Sequence, residues 1–565
     1  MGMKMGIRTS MRTLSPSYIC LDCRLRLRQK LRPNFFRRPF TTSSARFLPN
    51  NATLANSNSK SSLESSYKPP TAPKPTPNIR HIRENAELYS RNCVDRNYAA
   101  LKEHPLRIKS LADEAAKLQR DLNAPRSRIK AVEKEIGRIS FEKAKGKESD
   151  KSDGNVEEAL AKLHAEAKRL KEESADMTTR REQCLDDMRD LALSLPNLTS
   201  PQTPLGDTPR LLRYINYDPS QPPSYLTDTT RSHVSIGSHL SLLDFSSSAT
   251  STGWGWYYLT GAGALLEQAL VQFALTTAMT RGWTPVSPPS IVYSHIASAC
   301  GFQPRDQHNE QQIFAIERSE KDKERGRPAR VLAGTAEIPL AAMYAGRDVG
   351  AGEFPVRMVG ASRCYRAEAG SRGVEAKGLY RVHEFTKVEL FGWADSPEEG
   401  GSSPSSSSQK KNGAEPVTST TLFDEMLALQ THILTALNLP CRILEMPSSD
   451  LGASATRKID IEALFPSRLQ RPESGNKVDI DTAWGEVTSA SICTDYQSRR
   501  LGTRVRGKDG AGGSRFPHTV NGTALAVPRV IAAILENGWD ENLQGVVVPK
   551  VLRGFMGGIE VLKKN

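Results

Sequence analysis

Between Leu101 and Leu191 the apolar residues fall on alternating steps of three and four, the spacing that lines one face of an α-helix. The first run is Leu111, Ala115, Leu118, Leu122, Ile129, Val132, Ile136 and Ile139, with Pro125 in the one odd slot. Charge and glycine interrupt it from Lys143 to Asn155. The second run is Leu160, Leu163, Ala167, Leu170, Ser174, Met177, Arg181, Cys184, Met188 and Leu191; eight of these ten are apolar, which sustains a 3.5-residue repeat. Two helices of similar length joined by a polar turn are predicted to fold back as an antiparallel coiled coil, each roughly 50–60 Å long at 1.5 Å per residue. Pro125 has no N–H for the helical ladder and is expected to kink or interrupt the first helix.

Leu195-Pro196-Asn197 and the prolines at 201 and 204 end this arm. From His233 onward short apolar runs alternate with Gly/Pro punctuation, the pattern of a mixed α+β domain. Leu265 to Met279 reads as an amphipathic helix, and Gly282-Trp283-Thr284-Pro285-Val286-Ser287-Pro288-Pro289 as an extended segment. Upstream of the arm, from Leu48 to about Pro77, the chain is rich in Asn, Ser, Pro and Lys and has too little apolar content to fold. The expected organisation is a leader over 1–46, a disordered linker over 47–77, an arm over 78–198 and a second domain over 199–565. That domain carries a Ser-rich low-complexity insertion at about 396–419. Ser319 to Arg330 and Lys508 to Ser514 read as further loop expansions.

Charge changes the picture at the N-terminus. The 565 residues carry 77 Lys+Arg against 63 Asp+Glu, a net +14. Eleven basic residues against Asp22 alone place ten of those charges in the first 46 positions. An Arg-rich, Ser/Thr-containing, acid-poor start is the composition of a mitochondrial transit peptide, and Arg38-Pro39-Phe40 before Thr41-Thr42-Ser43-Ser44 resembles a matrix processing site. The alternative is a basic nucleic-acid-binding tail. In the arm, Arg126 to Lys151 holds nine basic and five acidic residues, a positive stretch able to track a phosphate backbone, or a plain solvated face. Eight scattered cysteines make no disulfide framework, and Cys20-x-x-Cys23 has no second Cys/His pair nearby, so no structural zinc is expected. No run approaches 18 uninterrupted apolar residues, so no membrane partner is expected.

Candidate chemistry concentrates in Arg363 to Trp393, RCYRAEAGSRGVEAKGLYRVHEFTKVELFGW. With Gly334-Thr335-Ala336-Glu337-Ile338-Pro339-Leu340, Leu451-Gly452-Ala453, Lys458-Ile459-Asp460-Ile461-Glu462, Glu486-Val487-Thr488-Ser489-Ala490-Ser491 and Asn521-Gly522-Thr523-Ala524-Leu525-Ala526-Val527-Pro528-Arg529, it resembles the seryl-tRNA synthetase family of class II aminoacyl-tRNA synthetases. The resemblance spans roughly residues 78 to 560. It implies an α+β fold in which the long antiparallel two-helix arm precedes a catalytic domain built on an antiparallel β-sheet flanked by helices. The helix and proline-rich segment from Leu265 to Pro289 resemble motif 1, which forms the family's homodimer interface.

The resemblance also implies an activity: an ATP-dependent, AMP-forming ligase that makes seryl-adenylate from L-serine and MgATP, then passes serine to the terminal adenosine of tRNA(Ser). Carboxylate attack on a phosphate redistributes charge over oxygens, so positioned cations matter more than a nucleophilic side chain. Arg366 matches the arginine that clamps the α-phosphate and the reacting carboxylate. Arg529 matches the arginine on the γ-phosphate side, and guanidinium suits bidentate phosphate contact. Glu368 and the backbone near Val382 match positions that hold adenine, and Phe385 the ring that stacks on it. Val487 and Thr488 fall inside the ATP-binding block, between Glu486 and Ser489, which match the magnesium pair; oxygen ligands suit a hard cation. Glu389, with Thr335, Ala336 and Glu337, matches the ammonium site for serine, and Thr523 the contact to its hydroxyl. Arg366 would also hold the serine carboxylate. His383 is expected to serve the motif's structure, not catalysis.

Two departures from the family pattern stand out. Ala524, Ala526 and Pro528 replace small residues or glycines around the final arginine, and the Ser-rich insertion is extra. Two other readings remain at this point: a synthetase-like paralogue kept as a nucleic-acid-binding or structural protein, which should have lost the matched charges, and a ligase that charges a carrier protein, which should lack the arm. The leader implies the mitochondrial matrix.

Overall fold

The structure is a computed structural model that describes residues 72–144, 153–303, 311–367, 378–396, 417–470, 479–506 and 515–564. The leader, most of the linker, the Ser-rich insertion, Glu368, the Lys508–Ser514 expansion and the centre of the arm's polar turn lie outside the described residues.

Two short helices, α1 (Ile79–Glu84) and α2 (Ala86–Asp95), open the arm ahead of its coiled coil; the apolar periodicity beginning near Leu101 gives no sign of them. The coiled coil is α3 (His104–Asp121), α4 (Asn123–Ala144) and α5 (Asp153–Ser194). The break between α3 and α4 falls at Leu122, next to Asp121, whose carbonyl Pro125 leaves without an i+4 N–H. The 42 residues of α5 run unbroken for about 63 Å. Leu111, Ala115, Leu118, Leu122 and Val132 are buried against Ala167, Leu170, Cys184 and Met188, so the 3.5-residue repeat is the seam. His104 Nδ1 lies 2.9 Å from Ser194 Oγ, Glu114 meets Arg180 at 3.5 Å and Arg128 meets Glu166 at 2.7 Å. Partners that rise on one helix and fall on the other mark an antiparallel pair. Along the arm's positive stretch Arg128 is tied to Glu166, and Arg138 to Glu135 and Glu142.

The second domain is an eight-stranded sheet: β1 (Arg210–Ile215), β2 (Thr284–Pro285), β3 (Val356–Tyr365), β4 (Glu384–Ala394), β5 (Cys441–Glu445), β6 (Arg457–Leu464), β7 (Trp484–Thr494) and β8 (His518–Ala526). Its order is β1-β5-β6-β7-β8-β4-β3-β2, antiparallel except that β2 runs parallel to β3. Five further helices matter to the site: α6 (Ala262–Thr280), α7 (Glu337–Ala342), α8 (Ser419–Ala436), α9 (Tyr496–Leu501) and α10 (Val527–Gly538).

One sheet face is apolar and closed. Val388, Leu390, Val487 and Ala524 pack there against Leu266 and Leu270 of α6, Met426 and Ile433 of α8, and Ile531 and Ile534 of α10. The helix over Leu265 to Met279 is therefore α6. It stops because Gly282, at φ +81°, donates to Met279 O while Trp283 donates to Ala278 O, a Schellman ending that turns the chain into β2. The opposite face is covered only at one end, where Phe391, Trp393 and Met358 meet Ile338 and Leu340 of α7. Its other end stays open as a cleft.

Two details differ from the sequence reading. Residues 72–77, expected in the disordered linker, lie against the second domain: Thr76 N donates to Arg499 O at 2.8 Å. Part of the expansion after Ser319 is a short helix, Glu320–Glu324, capped by the Ser319 hydroxyl.

Candidate active site

Pairing register decides which side chains share the open face. On β4, residues 385, 387 and 389 alternate to one side, so Phe385, Lys387 and Glu389 face together. Across from them β8 carries a bulge: Val388 pairs with Leu525 but Glu389 pairs with Thr523, leaving Ala524 as the extra residue. The bulge sets Thr523 beside Glu389, with Oγ1 3.5 Å from Oε2. It also turns the position 524 side chain into the closed core, where Ala524 is fully buried. The alanine that departs from the family pattern thus occupies a packing position.

A second bulge does the same for the magnesium pair. Three residues apart, Glu486 and Ser489 would face opposite ways on a regular strand. On β7, however, Glu486 pairs with Glu462 and Thr488 with Ile461, so Val487 is extra, and Ser489 then pairs with Asp460. Cross-strand neighbours share a face, and Asp460 and Glu462 are two apart, so Glu486 and Ser489 come to the same side. Val487 and Thr488 do not: Val487 is in the closed core, and the Thr488 hydroxyl donates to Thr523 O.

The open cleft, about 460 Å³ out to its mouth, is lined by Arg366, Leu379, Tyr380, Arg381, Val382, Phe385, Lys387, Glu486, Ala526, Pro528 and Arg529. Arg529 stands in the first turn of α10, directly after Pro528, whose ring favours a φ suited to a helix start. Its Nε donates to Tyr380 O and its Nη1 to Glu486 O and Oε2, each at 2.9 Å. Its guanidinium lies 4.5 Å from the centre of the Tyr380 ring. Arg366 continues the line of β3 and sits 5.6 Å over Phe385. His383 holds Arg366 from both sides of the chain: His383 O accepts from Arg366 N, and Nδ1 lies 3.1 Å from Arg366 O. The ring is packed among Trp254, Trp256 and Phe314.

Electrostatics divide the face into two ends. At the cleft end desolvation works against the Glu486 carboxylate, but the charges of Arg529, Lys458 and Arg366 outweigh it and hold its pKa at about 2. Asp460 is raised by burial and by Glu486, although Lys458 Nζ lies 2.8 Å from it. At the closed end Thr335, Ala336 and Glu337, at the start of α7, are all buried. Burial, then the nearby Glu389 charge, push Glu337 up to about 8, although Gln497 of α9 donates to its Oε1 at 2.6 Å. Burial also raises Glu389, against the pull of Lys387.

Lys387, Gln497 and Asp460 were not assigned roles from sequence. Lys387 had a readable signal, being two positions from Glu389 on one strand; Gln497 had none, because only folding brings α9 to α7. The segment that includes Glu368 returns to the described chain at Gly378. There φ is +62°, and a Cβ would collide with His233 Nε2, which accepts from Leu379 N at 3.1 Å. His233 Nδ1 in turn lies 2.7 Å from Glu536 Oε1 of α10, so this end of the motif is pinned to the helix that bears Arg529.

Glu486, an ionised oxygen donor beside Ser489 on the same face, fits a divalent cation that also takes phosphate oxygens, as Mg²⁺ prefers. Among the described residues no cluster of three His, Cys, Asp or Glu makes an all-protein metal cage.

Comparison with known proteins agrees with this arrangement. Residues 321–538 match the class II tRNA synthetase core domain (G, H, P, S and T), and residues 78–199 match the seryl-tRNA synthetase N-terminal domain. The chain is 39% identical over 432 residues to the mitochondrial serine–tRNA ligase of Saccharomyces cerevisiae, covering 76% of this chain and 85% of that protein. It is 37% identical to the mitochondrial serine–tRNA ligase of Schizosaccharomyces pombe, covering 84% and 87%. The crystal structure of seryl-tRNA synthetase from Pyrococcus horikoshii complexed with ATP superposes with a TM-score of 0.66 at 27% identity, covering 86% of this chain and 99% of that one. With both domains matched and relatives above the 30% level along most of their length, the chain belongs to the seryl-tRNA synthetase family of class II aminoacyl-tRNA synthetases.

Proposed function

We propose that this chain is a serine–tRNA ligase, carrying out serine activation and transfer with the residues of the open face. The observation that carries the reading is the juxtaposition of a buried carboxylate–hydroxyl pocket, Glu389 with Thr523, Thr335 and Glu337, with a cleft bordered by Arg366 and Arg529. Serine's ammonium goes to the pocket's acidic groups and its hydroxyl to Thr523. Its carboxylate then points toward Arg366. Dedicated polar partners for the hydroxyl would be left unpaired by alanine or glycine, which binding alone rejects strongly. ATP lies in the cleft with adenine against Phe385 and the backbone near Val382, and its outer phosphates toward Arg529. For that, Arg529 exchanges its Glu486 contact for phosphate.

The serine carboxylate oxygen attacks the α-phosphorus, the bond to the β-phosphate bridging oxygen breaks, and pyrophosphate leaves. The product is the mixed anhydride seryl-adenylate. Arg366 compensates the charge that builds on the α-phosphate oxygens. A Mg²⁺ ion on Glu486 and Ser489, when bound, neutralises phosphate charge and orients the leaving group. A ribose hydroxyl of the terminal adenosine of tRNA(Ser) next attacks the acyl carbon, releasing AMP. The arm lies along the body of the tRNA, a mode that relies on shape and backbone contacts. Exposed Leu265, Met279 and Ile291 on and after α6 support a homodimer through this segment. The basic N-terminus and the mitochondrial relatives support the mitochondrial matrix. The paralogue reading loses ground to the retained Arg366, Glu486 and Arg529, and the carrier-protein reading to the arm.

Serine-dependent ATP–pyrophosphate exchange tests the reading. The unmutated protein should exchange with serine and magnesium, and Arg366→Ala should lower kcat by about 10²–10³-fold. No serine-dependent exchange by the unmutated protein, even with tRNA present, refutes the assignment.

A further inference from the structure

The pocket assigned to serine's ammonium already holds an ammonium. Lys387 Nζ lies 2.6 Å from Glu389 Oε2 and 2.7 Å from Thr335 Oγ1, on a side chain only 7% exposed. Those oxygens are acceptors the incoming substrate would need. The same lysine borders the nucleotide cleft with Arg366, Glu486 and Arg529. We propose that Lys387 is a further substrate-binding group with two positions: it stands in for the substrate's ammonium while the pocket is empty, and on serine binding it turns into the cleft to meet the reacting carboxylate and the α-phosphate. This rests on the serine pocket proposed above.

The pocket does not accommodate both cations on the same oxygens. Thr335 Oγ1 accepts from Lys387 and also from Glu337 N at 3.3 Å, which uses both its lone pairs. Two ammonium groups on Glu389, away from water, repel with little screening. The resident must therefore leave, and charge sets its direction. Substrate ammonium neutralises Glu389, while the substrate carboxylate and the ATP phosphates make the cleft side more negative. A compact charge on a flexible four-carbon stem suits such a move better than a rigid guanidinium fork. The consequence is a check on the substrate. Lysine charge reaches the reacting centre only when an α-ammonium has replaced it, so a hydroxy acid of the same shape leaves Lys387 on Glu389.

A crystal structure of the unmutated full chain with a non-hydrolysable seryl-adenylate analogue decides the matter. Lys387 Nζ should be out of hydrogen-bond reach of Glu389 and within reach of the analogue's acyl or phosphate-like oxygens. Lys387 still on Glu389, with Glu337 alone holding the analogue's ammonium, overturns the proposal. In exchange assays Lys387→Met should lower kcat by about 10²-fold without raising the serine KM. A raised serine KM with kcat unchanged would mark a static pocket wall and also overturns it. Glu389→Gln separates the two readings: an unchanged serine KM in that variant removes the serine pocket, and the proposal with it, whereas a raised KM beside a motionless Lys387 removes the proposal alone.

Discussion

Glu337 shows how one buried residue links chemistry to stability. Its carboxyl is 4% exposed, beside the Glu389 carboxylate, and burial followed by that charge raise its pKa to about 8. A carboxyl with a raised folded pKa binds more protons folded than unfolded between pH 4.5 and 8. Its stabilising contribution is complete below about 4.5 and is lost as pH climbs toward 8. Glu337→Gln mimics the protonated form and escapes that loss. Chemical denaturation at pH 5 and pH 8 should therefore show the variant gaining on the unmutated protein, by at most about 5 kcal/mol across the window. A pH-independent difference would place an ordinary ionised carboxylate at 337. Much of this residue-scale chemistry was legible beforehand, since Arg366, Glu389, Thr523 and Arg529 were each picked out by motif. The raised pKa of Glu337 was not, because it depends on burial and on the Glu389 charge, both supplied by elements distant in sequence.

At the scale of elements, the arm is the plainest case of sequence dictating structure. A 3.5-residue repeat can bury its apolar stripe only against a second such stripe, and one proline marks where the first helix breaks. The positive outer half keeps its balance of charge: Glu135 and Glu142, the partners of Arg138, are already among its five acidic residues, and Glu166 opposite Arg128 is offset by Lys171 opposite Glu133. Removing residues 127–173 and closing the hairpin with a short Gly/Ser turn should abolish tRNA charging while leaving serine-dependent exchange within a few-fold of normal. Equal charging by the shortened protein would deny the arm its role. On the sheet, by contrast, the two bulges were invisible. An extra residue such as Val487 or Ala524 is defined by its partner strand, and nothing local distinguishes it from its neighbours.

The whole molecule depends on how the arm is rooted in the catalytic domain. Arg96, just after α2, is buried and donates to Asn197 O and Gly452 O. The Asn197 side chain reaches Ser454 O at 2.9 Å, Cys493 O at 2.8 Å and Thr494 Oγ1 at 3.1 Å. Arg500 of α9 donates to Leu193 O and Leu195 O at 3.1 and 3.2 Å, on the same short helix whose Gln497 holds Glu337. Main-chain carbonyls buried at this junction lose their donor if the guanidinium is removed. Arg96→Met should cost about 2–4 kcal/mol. Limited proteolysis should then release the arm more readily, and tRNA charging should fall further than exchange. Unaltered proteolysis and charging would show that the junction is held elsewhere.

By itself the sequence determined the arm, the order of the motifs and the identity of most groups on the open face. Those depend on local periodicity and on residue types that chemistry requires. Only the tertiary structure decided which way the side chains point and which charges meet. Strand register turned Glu486 and Ser489 to one side, set Thr523 against Glu389 and sent Val487 inward. Packing put Lys387 into the pocket and brought α9 between the arm's root and Glu337. The physical reason is the same throughout: a strand residue's face and a buried group's charge are set by neighbours that are distant in sequence, and no local pattern records them.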